Sequence, residues 1–172
     1  MIVLGIDPGT AVTGYGVVEG QHSMPARLIE CGVIRTRTRD ALPQRLFDIH
    51  AGIAELIERH RPDAVAIEDV FYARNVRTTI VLGHARGVIL LAAVQAQIEI
   101  SEYPPAEIKK AIVGTGNATK QQVQFMVARL LRLKTAPEPA DAADGVAVAL
   151  TRLMMARLPR IADEIALISA RR

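Results

Sequence analysis

The sequence predicts an α/β fold in which helices flank a five-stranded mixed sheet. Three observations support this prediction. Short apolar runs alternate with stretches of helical period along most of the chain. The first three strand-like segments follow one another through short, turn-rich connections, which favours antiparallel pairing. The later strands are separated by helices, which favours parallel pairing and makes the sheet mixed.

The first part of the chain is predicted to hold the antiparallel strands and one long helix. Residues 2–6 form an apolar run that ends in Asp-Pro-Gly, the pattern of a buried strand followed by a turn. Residues 13–19 and 27–35 are the next two predicted strands. The pattern then changes to a helical period over residues 41–60, where the apolar side chains form one stripe.

The second part of the chain is predicted to alternate between strands and helices. An Arg-Pro-Asp break ends the first helix, and residues 64–68 form a fourth strand. A long, largely apolar helix is expected over residues 78–97, followed by a fifth strand over residues 98–103. Three more helices are predicted near residues 105–112, 119–133 and 139–156.

Length and composition are those of a single soluble globular domain. The chain has 172 residues, of which 50% are hydrophobic and 23% are charged, so one core suffices. Cys31 is the single cysteine, which excludes an intrachain disulfide and a thiolate metal cluster. We assign residues 1–156 to one domain and residues 157–172 to a C-terminal tail.

The charge balance permits a nucleic-acid partner without requiring one. The formal net charge is +3 and the sequence pI is about 9.3. The N-terminal apolar run lacks a basic region and is interrupted by Asp7, so it is not a signal peptide. The apolar run over residues 88–94 is too short to span a bilayer. A cytoplasmic protein without membrane attachment is therefore expected.

Two acidic residues end predicted strands. Asp7 and Glu68 each follow an apolar run, and α/β folds gather their sites at the carboxyl edge of the sheet. An acid in that position is costly unless it is solvated, paired or bound to metal. Before Pro-Gly, a turn-forming role explains Asp7 equally well. Strand alternation points Asp69 to the opposite face, so Asp69 is assigned to solvent or to a supporting position.

Two further acids lie three residues apart on the last predicted helix. Asp141 and Asp144 therefore project from one face. A cap or a favourable interaction with the helix dipole explains Asp141, but Asp144 opens an apolar run that must face the core. Four carboxylates without a nearby His or Cys cluster suit Mg²⁺ or Mn²⁺ rather than zinc. Two such ions about 4 Å apart would activate water and stabilise the leaving oxygen of a phosphodiester.

These motifs resemble those of the RuvC family of Holliday junction resolvases, within the RNase H-like nuclease and integrase superfamily. The matching segments, which follow the family's order over roughly residues 1–155, are Gly-Ile-Asp-Pro-Gly-Thr, Thr-Gly-Tyr-Gly-Val, Ile-Glu-Asp-Val-Phe, Leu-Gly-His-Ala-Arg-Gly, Val-Gly-Thr-Gly-Asn-Ala-Thr-Lys-Gln-Gln-Val-Gln and Ala-Asp-Ala-Ala-Asp-Gly. The resemblance implies an RNase H-like fold and a homodimer that nicks two strands of like polarity in a four-way DNA junction. It also implies cooperation with the RuvA–RuvB branch-migration machinery.

The resemblance also implies roles for individual residues. Metal binding is carried over to the four acids Asp7, Glu68, Asp141 and Asp144. Lys120 matches a position beside the active site that helps to neutralise the phosphate, and Lys109 matches a second basic position near the scissile strand. Thr119 is a plausible N-cap for the helix that Lys120 begins. The sequence departs from many relatives at Asp69, where Gln or Glu is expected, and at the additional aromatic Tyr72.

Residues that follow Glu68 are candidates for DNA contact. We expect Phe71 and Tyr72 to wedge into or stack on bases at the opened crossover; a core aromatic under the next loop is the alternative. Arg74 and Arg77 are expected to hold phosphates of the crossing strands, or else to solvate a loop. The dimer face is expected on an apolar helix surface within residues 78–97.

Three other functions are compatible with parts of the sequence. An actin-like or sugar-kinase-like phosphotransferase shares the Asp-x-Gly-Thr turn but needs two lobes, and this chain has room for one. A junction-binding protein without nuclease activity would not need four carboxylates, which repel DNA unless metal neutralises them. A related RNase H-like nuclease with another substrate is the third alternative. His50, His60 and His84 share no ligand spacing and are interpreted as helical surface or packing residues.

Overall fold

The described residues form one mixed sheet with helices on both faces. The computed structural model describes residues 1–21, 24–69 and 76–157. The strands are β1 (Ile2–Asp7), β2 (Val12–Gln21), β3 (Met24–Arg35), β4 (Ala64–Glu68) and β5 (Glu99–Tyr103). The helices are α1 (Leu42–His60), α2 (Val76–Gln95), α3 (Pro105–Val113), α4 (Lys120–Leu130) and α5 (Ala140–Arg157).

The strand order is β3-β2-β1-β4-β5. The first three strands pair antiparallel, because short turns connect them. Strand β4 pairs parallel to β1, and β5 pairs parallel to β4, because α1 and α2 carry the chain back between them. The predicted five-stranded mixed sheet is therefore confirmed.

Several element boundaries differ from the sequence prediction. Helix α2 begins and ends two residues earlier than residues 78–97, and a left-handed Gln97 (φ 56°) follows it. Helix α4 ends at Leu130 rather than 133, because Arg132 adopts a left-handed backbone (φ 55°) that helices do not continue through. Helix α5 continues to Arg157. The predicted C-terminal tail lies, from residue 158 onward, outside the described residues.

Alternation along the strands divides the core into two layers. Leu4 and Val65 face α1 and α2, whereas their neighbours Val3 and Ala66 face α3, α4 and α5. All four are fully buried. The side on which a strand residue points therefore decides which group of helices it meets.

Helix α5 lies unusually close to the sheet. A Cβ atom on Gly145 would lie 2.5 Å from the Tyr15 Cα atom, and one on Gly5 would lie 2.3 Å from the Ala149 nitrogen. Both sites therefore require glycine for lack of space. This close approach brings the start of α5 over the end of β1.

Helix α2 has one buried face and one exposed apolar face. Its buried residues are Ala85, Ile89, Ala92 and Ala93. Within the described part of the chain, α2 is the one helix long and apolar enough to cross a membrane by length and composition. Its apolar character extends beyond the run at 88–94 because the outer face is apolar too.

Candidate active site

The site lies where β1 and β4 end. Asp7 is the last residue of β1, Glu68 is the last residue of β4, and these two strands are parallel neighbours. Alternation from Gly5 and Ala66 places both acids on the face that α5 covers. The first two turns of α5 supply Asp141 and Asp144. The four predicted acids thus come together at one edge of the sheet.

Three of the acids have the spacing of a metal site. One carboxylate oxygen each of Asp7, Asp141 and Asp144 lies within 4.8 Å of the other two. This span suits a cation with oxygen ligands at about 2.1 Å, whose opposite ligands lie about 4 Å apart. Glu68 is not part of this group of three, although its charge interacts with those of Asp7 and Asp144. An all-carboxylate donor set fits Mg²⁺ or Mn²⁺.

Burial, together with the crowding of acids, raises two carboxyl pKa values. Burial raises the pKa of Asp7 to about 7, with further contributions from the negative charges of Glu68, Asp144 and Asp141. Burial and the charge of Asp144 likewise raise the pKa of Glu68 to about 7, against the opposing effect of Lys109 and Lys120. Near neutral pH the cation-free site therefore retains protons that a divalent cation would displace.

Lys120 brings a positive charge to these acids. Its Nζ atom donates a hydrogen bond to the Asp144 Oδ2 atom at 2.6 Å, and this bond raises the pKa of Lys120. The start of α4 is fixed by a reciprocal cap, in which Thr119 Oγ1 accepts from the Gln122 nitrogen and Gln122 Oε1 accepts from the Thr119 nitrogen. The predicted N-cap at Thr119 is thereby confirmed.

A cleft of about 270 Å³ opens over the acids. Lys109 and Lys120 line it together with Asp7, Glu68 and Asp144. Its remaining lining residues are apolar: Pro105, Ile108, Val123 and Ala147. This apolar wall could not be predicted from the sequence, because these residues have the pattern of ordinary helix-face core positions.

The structure separates Asp69 from the site and leaves part of the predicted DNA surface undescribed. Asp69 forms an ion pair with Arg86 of α2 (3.2 Å), on the sheet face opposite Glu68, which confirms the predicted orientation. Arg77 is exposed at the start of α2. Phe71, Tyr72 and Arg74 lie outside the described residues.

His50 and His60 form contacts away from the acids, and His84 is exposed on α2. His60 Nε2 lies 2.8 Å from a Glu30 oxygen, and His50 Nε2 lies 2.9 Å from the Gln95 side-chain oxygen. Within the described ranges, no histidine or cysteine joins the acidic group. Their interpretation as packing or surface residues agrees with these contacts.

The fold and the carboxylate cluster define a metal-dependent nuclease with an RNase H-like architecture. The family model described as "Crossover junction endodeoxyribonuclease RuvC" matches residues 3–152. The chain belongs to this RuvC family. Among curated relatives, the RuvC of Halorhodospira halophila is 52% identical over 148 residues, covering 86% of this chain and 87% of the relative. That of Alkaliphilus metalliredigens is 49% identical over 150 residues, covering 87% and 91%.

Solved structures agree with the family assignment. Thermus thermophilus RuvC superposes with a TM-score of 0.84 at 40% identity, covering 92% of this chain and 96% of that one. The same protein in complex with a Holliday junction substrate gives a TM-score of 0.84 at 37% identity and the same coverage. The yeast mitochondrial Holliday junction resolvase Ydc2, at 15% identity and a TM-score of 0.63, covers 88% and 78% and shares the fold.

Proposed function

We propose that this chain resolves four-way DNA junctions by hydrolysing one phosphodiester bond in each of two strands of like polarity. The observation that carries the proposal is the convergence of Asp7, Asp141 and Asp144 at a cleft that also contains Glu68 and Lys120. Membership of the RuvC family and the Thermus thermophilus relative solved with a Holliday junction substrate point to a junction as the substrate.

The four acids are proposed to hold two divalent cations, Mg²⁺ or Mn²⁺. When bound, these ions supply an activated water and stabilise the leaving oxygen. The carboxylates would hold both ions at the end of the sheet, because their mutual repulsion favours cation binding over an empty site. Lys120 and Lys109 line the same cleft, where their charges stabilise the additional negative charge on the phosphate during bond cleavage.

The segment after Glu68 is proposed to contact the junction centre. We assign Phe71 and Tyr72 to stacking on unpaired bases, and Arg74 and Arg77 to phosphates of the crossing strands. The position of Arg77 supports this assignment, because it is exposed in the first turn of α2, a turn that contains no acidic residue. Basic side chains at a helix N-terminus add to the attraction of its free N–H groups for phosphate.

A homodimer is proposed to form through the outer face of α2. Val76, Ile80, Leu91 and Val94 are each at least half exposed, and a 3.6-residue period places them on one side of the helix. Gly83 and Gly87 lie between them on that side, and a Cβ atom at either would have no neighbour within 4 Å. An exposed apolar stripe of this kind is typical of a protein interface.

The order of residues along this stripe suits a two-fold axis. Val76 and Val94 lie at equal distances on either side of residue 85, Ile80 and Leu91 at nearly equal distances, and Gly83 and Gly87 flank it. Two copies of α2 that cross antiparallel near residue 85 would therefore bury the same side chains from each chain, as an isologous contact requires. A two-fold enzyme matches a junction whose cleavable strands are related by two-fold symmetry.

Two further assignments rest on family membership. We infer that the chain acts in the cytoplasm and that it receives junctions from the RuvA–RuvB branch-migration machinery. Both agree with an enzyme that acts on DNA during recombination and repair.

The proposed activity is tested with a labelled mobile four-way junction and a linear duplex of matched sequence. Each is incubated with the protein in Mg²⁺, Mn²⁺ or EDTA, together with Asp7→Asn and Asp144→Asn variants. Glu58→Gln, an exposed acid on α1, serves as the control. We expect paired symmetric nicks in the junction alone, dependent on metal, retained in the control and lost in both site variants. Tight junction binding without cleavage in either metal would instead indicate a junction-binding protein.

A further inference from the structure

We propose that Arg86 is a positioning residue for Glu68, acting from the sheet face opposite the carboxylate cluster. The inference rests on the proposed function, because Glu68 matters through the cations that it helps to hold. Arg86 belongs to the Leu-Gly-His-Ala-Arg-Gly segment, to which the proposed chemistry assigns no role.

Arg86 joins the ends of two neighbouring strands. Its Nη2 atom lies 3.2 Å from the Asp69 Oδ1 atom and also pairs with the Glu102 Oε2 atom. Asp69 directly follows Glu68 at the end of β4, and Glu102 directly precedes Tyr103 at the end of β5. One guanidinium thus connects both strand ends to α2, whose neighbouring residue Ala85 is fully buried.

The backbone beside Glu68 is held from a second direction. Glu68 is the register partner of Tyr103, and the Asp69 N–H donates to the Tyr103 carbonyl oxygen at 2.8 Å. Strand β5 therefore fixes the peptide after Glu68, and Arg86 fixes the side chain of the following residue. Together they limit the movement of the Glu68 backbone relative to β1, which carries Asp7.

An arginine suits this position better than a lysine. Its planar guanidinium presents several N–H donors and can serve two carboxylates at once, whereas an ammonium group acts as a single compact charge. The Arg86 side chain is 23% exposed, so its ion pairs are partly shielded from water. Its Nε atom is buried and has no hydrogen-bond partner in the described part of the chain. The contacts with Asp69 and Glu102 are therefore those that compensate its charge there.

Arg152 provides a matched comparison within the same chain. Its side chain is 14% exposed, its Nε atom is likewise buried without a described partner, and it pairs with Glu99 at 2.7 Å. Glu99, however, begins β5, so this ion pair lies at the end of the strand away from the acids. Loss of Arg152 should reproduce the structural cost of losing a half-buried arginine without disturbing Glu68.

The test compares Arg86→Met, Arg86→Lys, Asp69→Asn and Arg152→Met in the full-length protein. Methionine retains much of the apolar stem, and asparagine removes the Asp69 charge without altering α2. For each variant we would measure the maximal rate of junction cleavage in Mn²⁺, the junction dissociation constant, and Mn²⁺ affinity by isothermal titration without DNA. Arg86→Met should lower the maximal rate and the Mn²⁺ affinity by roughly 10- to 100-fold, as loss of a supporting contact around a metal ligand does.

The junction dissociation constant of Arg86→Met should change less than about threefold. The rate and Mn²⁺ affinity of Arg86→Lys should lie between those of Arg86→Met and the parent. Arg152→Met should retain the parental rate and Mn²⁺ affinity. Asp69→Asn should show part of the loss in rate and Mn²⁺ affinity seen in Arg86→Met. The Arg86→Met, Asp69→Asn double variant should lose no more than Arg86→Met alone, because both substitutions remove the same ion pair. The proposal is overturned if the folded Arg86→Met protein matches Arg152→Met in rate and Mn²⁺ affinity.

If Arg86→Met does not fold, the Asp69→Asn variant tests the proposal in its place. A parental cleavage rate and Mn²⁺ affinity in Asp69→Asn would then overturn the proposal. Failure of the proposed junction cleavage can be distinguished from failure of the role proposed for Arg86. In that case the parent would not cut junctions, whereas the Mn²⁺ titrations would still report whether Arg86 supports the cation site.

Discussion

The ammonium group of Lys120 lies 2.6 Å from the Oδ2 atom of Asp144. Lys120 begins α4 and Asp144 lies in the second turn of α5. The two helices pack against each other, so the contact links the start of α4 to the carboxylate cluster. Lys120 is 53% exposed whereas Asp144 is 19% exposed. The lysine is therefore the more solvent-accessible member of this ion pair, and both residues line the cleft.

Replacement of Lys120 should reduce catalysis more than DNA binding. We expect Lys120→Met to lower the maximal rate of junction cleavage by roughly 100-fold, because a positioned charge on the developing phosphorane is lost. Lys120→Arg should retain part of the rate. Lys110→Met, an exposed lysine on α3 outside the cleft, is the control. A decrease of less than threefold in Lys120→Met would remove Lys120 from the proposed mechanism.

Asp7 should make the metal-free protein less stable as the pH rises. Its folded-state pKa is about 7 against 3.8 for an unperturbed group, so the folded state binds more protons than the unfolded state between these values. Stability is therefore expected to decrease as the pH rises through this window. Asp7→Asn should raise the melting temperature in EDTA at pH 8 and have a smaller effect at pH 5.

Thermal melts of parent and Asp7→Asn protein at both pH values test this expectation, with Glu58→Gln as the exposed-acid control. A stabilisation of equal size at pH 5 and pH 8 would show that repulsion and burial of an ionised Asp7 are not its cause.

Cation binding should release protons near neutral pH. The pKa values of Asp7 and Glu68 are both raised to about 7, and their carboxylates must be ionised to bind a cation. Mn²⁺ affinity should therefore increase as the pH rises from 6 to 8. Isothermal titration in buffers of different ionisation enthalpy measures the protons released. Affinity that does not change over this range would contradict the proposed ligand roles of these two acids.

Gly145 should be intolerant of even one methyl group. Alanine there would meet the Tyr15 backbone, with Cβ 2.5 Å from Cα, and neither element can yield without moving α5 from the sheet. We expect Gly145→Ala to lower the free energy of unfolding by about 3 kcal/mol and to weaken Mn²⁺ binding, since Asp141 and Asp144 move with α5.

Gly52 of α1 gives a matched control for helix propensity. A Cβ there would lie 2.9 Å from the Ile34 Cδ1 atom and 3.1 and 3.2 Å from its Cγ1 and Cγ2 atoms, so it would meet one side chain rather than backbone. Alanine is favoured over glycine in a helix by about 1 kcal/mol, which should offset the cost of moving this side chain. The free energy of unfolding of Gly52→Ala, measured in urea, should therefore lie within about 1 kcal/mol of the parental value. Equal losses for both variants would refute the close-packing explanation.

A charge on the outer face of α2 should prevent dimer formation. Leu91 is 50% exposed within the proposed interface, and a glutamate there would be buried against its partner without compensation. Sedimentation velocity at micromolar concentration should show a dimer for the parent and a monomer for Leu91→Glu. Phe47→Glu, at an exposed position on α1, should remain dimeric. A monomeric parent would disprove the proposed interface.

Features that depend on neighbours along the chain could be predicted from the sequence. Apolar periodicity identified the five described strands and the acids at the ends of β1 and β4. It also predicted that Asp69 points to the face opposite Glu68, because a strand alternates its side chains strictly. Thr119 was predicted as a cap because capping is a contact between residues three apart. Helix ends were less predictable: the left-handed turn at Arg132, which ends the last helical turn of α4, has no marker such as glycine.

Distances between remote residues required the tertiary structure. The sequence determined that Asp7, Glu68, Asp141 and Asp144 would be available and that oxygen-binding cations would suit them. It did not determine that three of them approach within 4.8 Å, that burial holds two carboxyl pKa values near 7, or that Arg86 joins the ends of β4 and β5. These properties depend on how closely α5 and α2 pack on the sheet, and packing is decided by the whole core rather than by any local pattern.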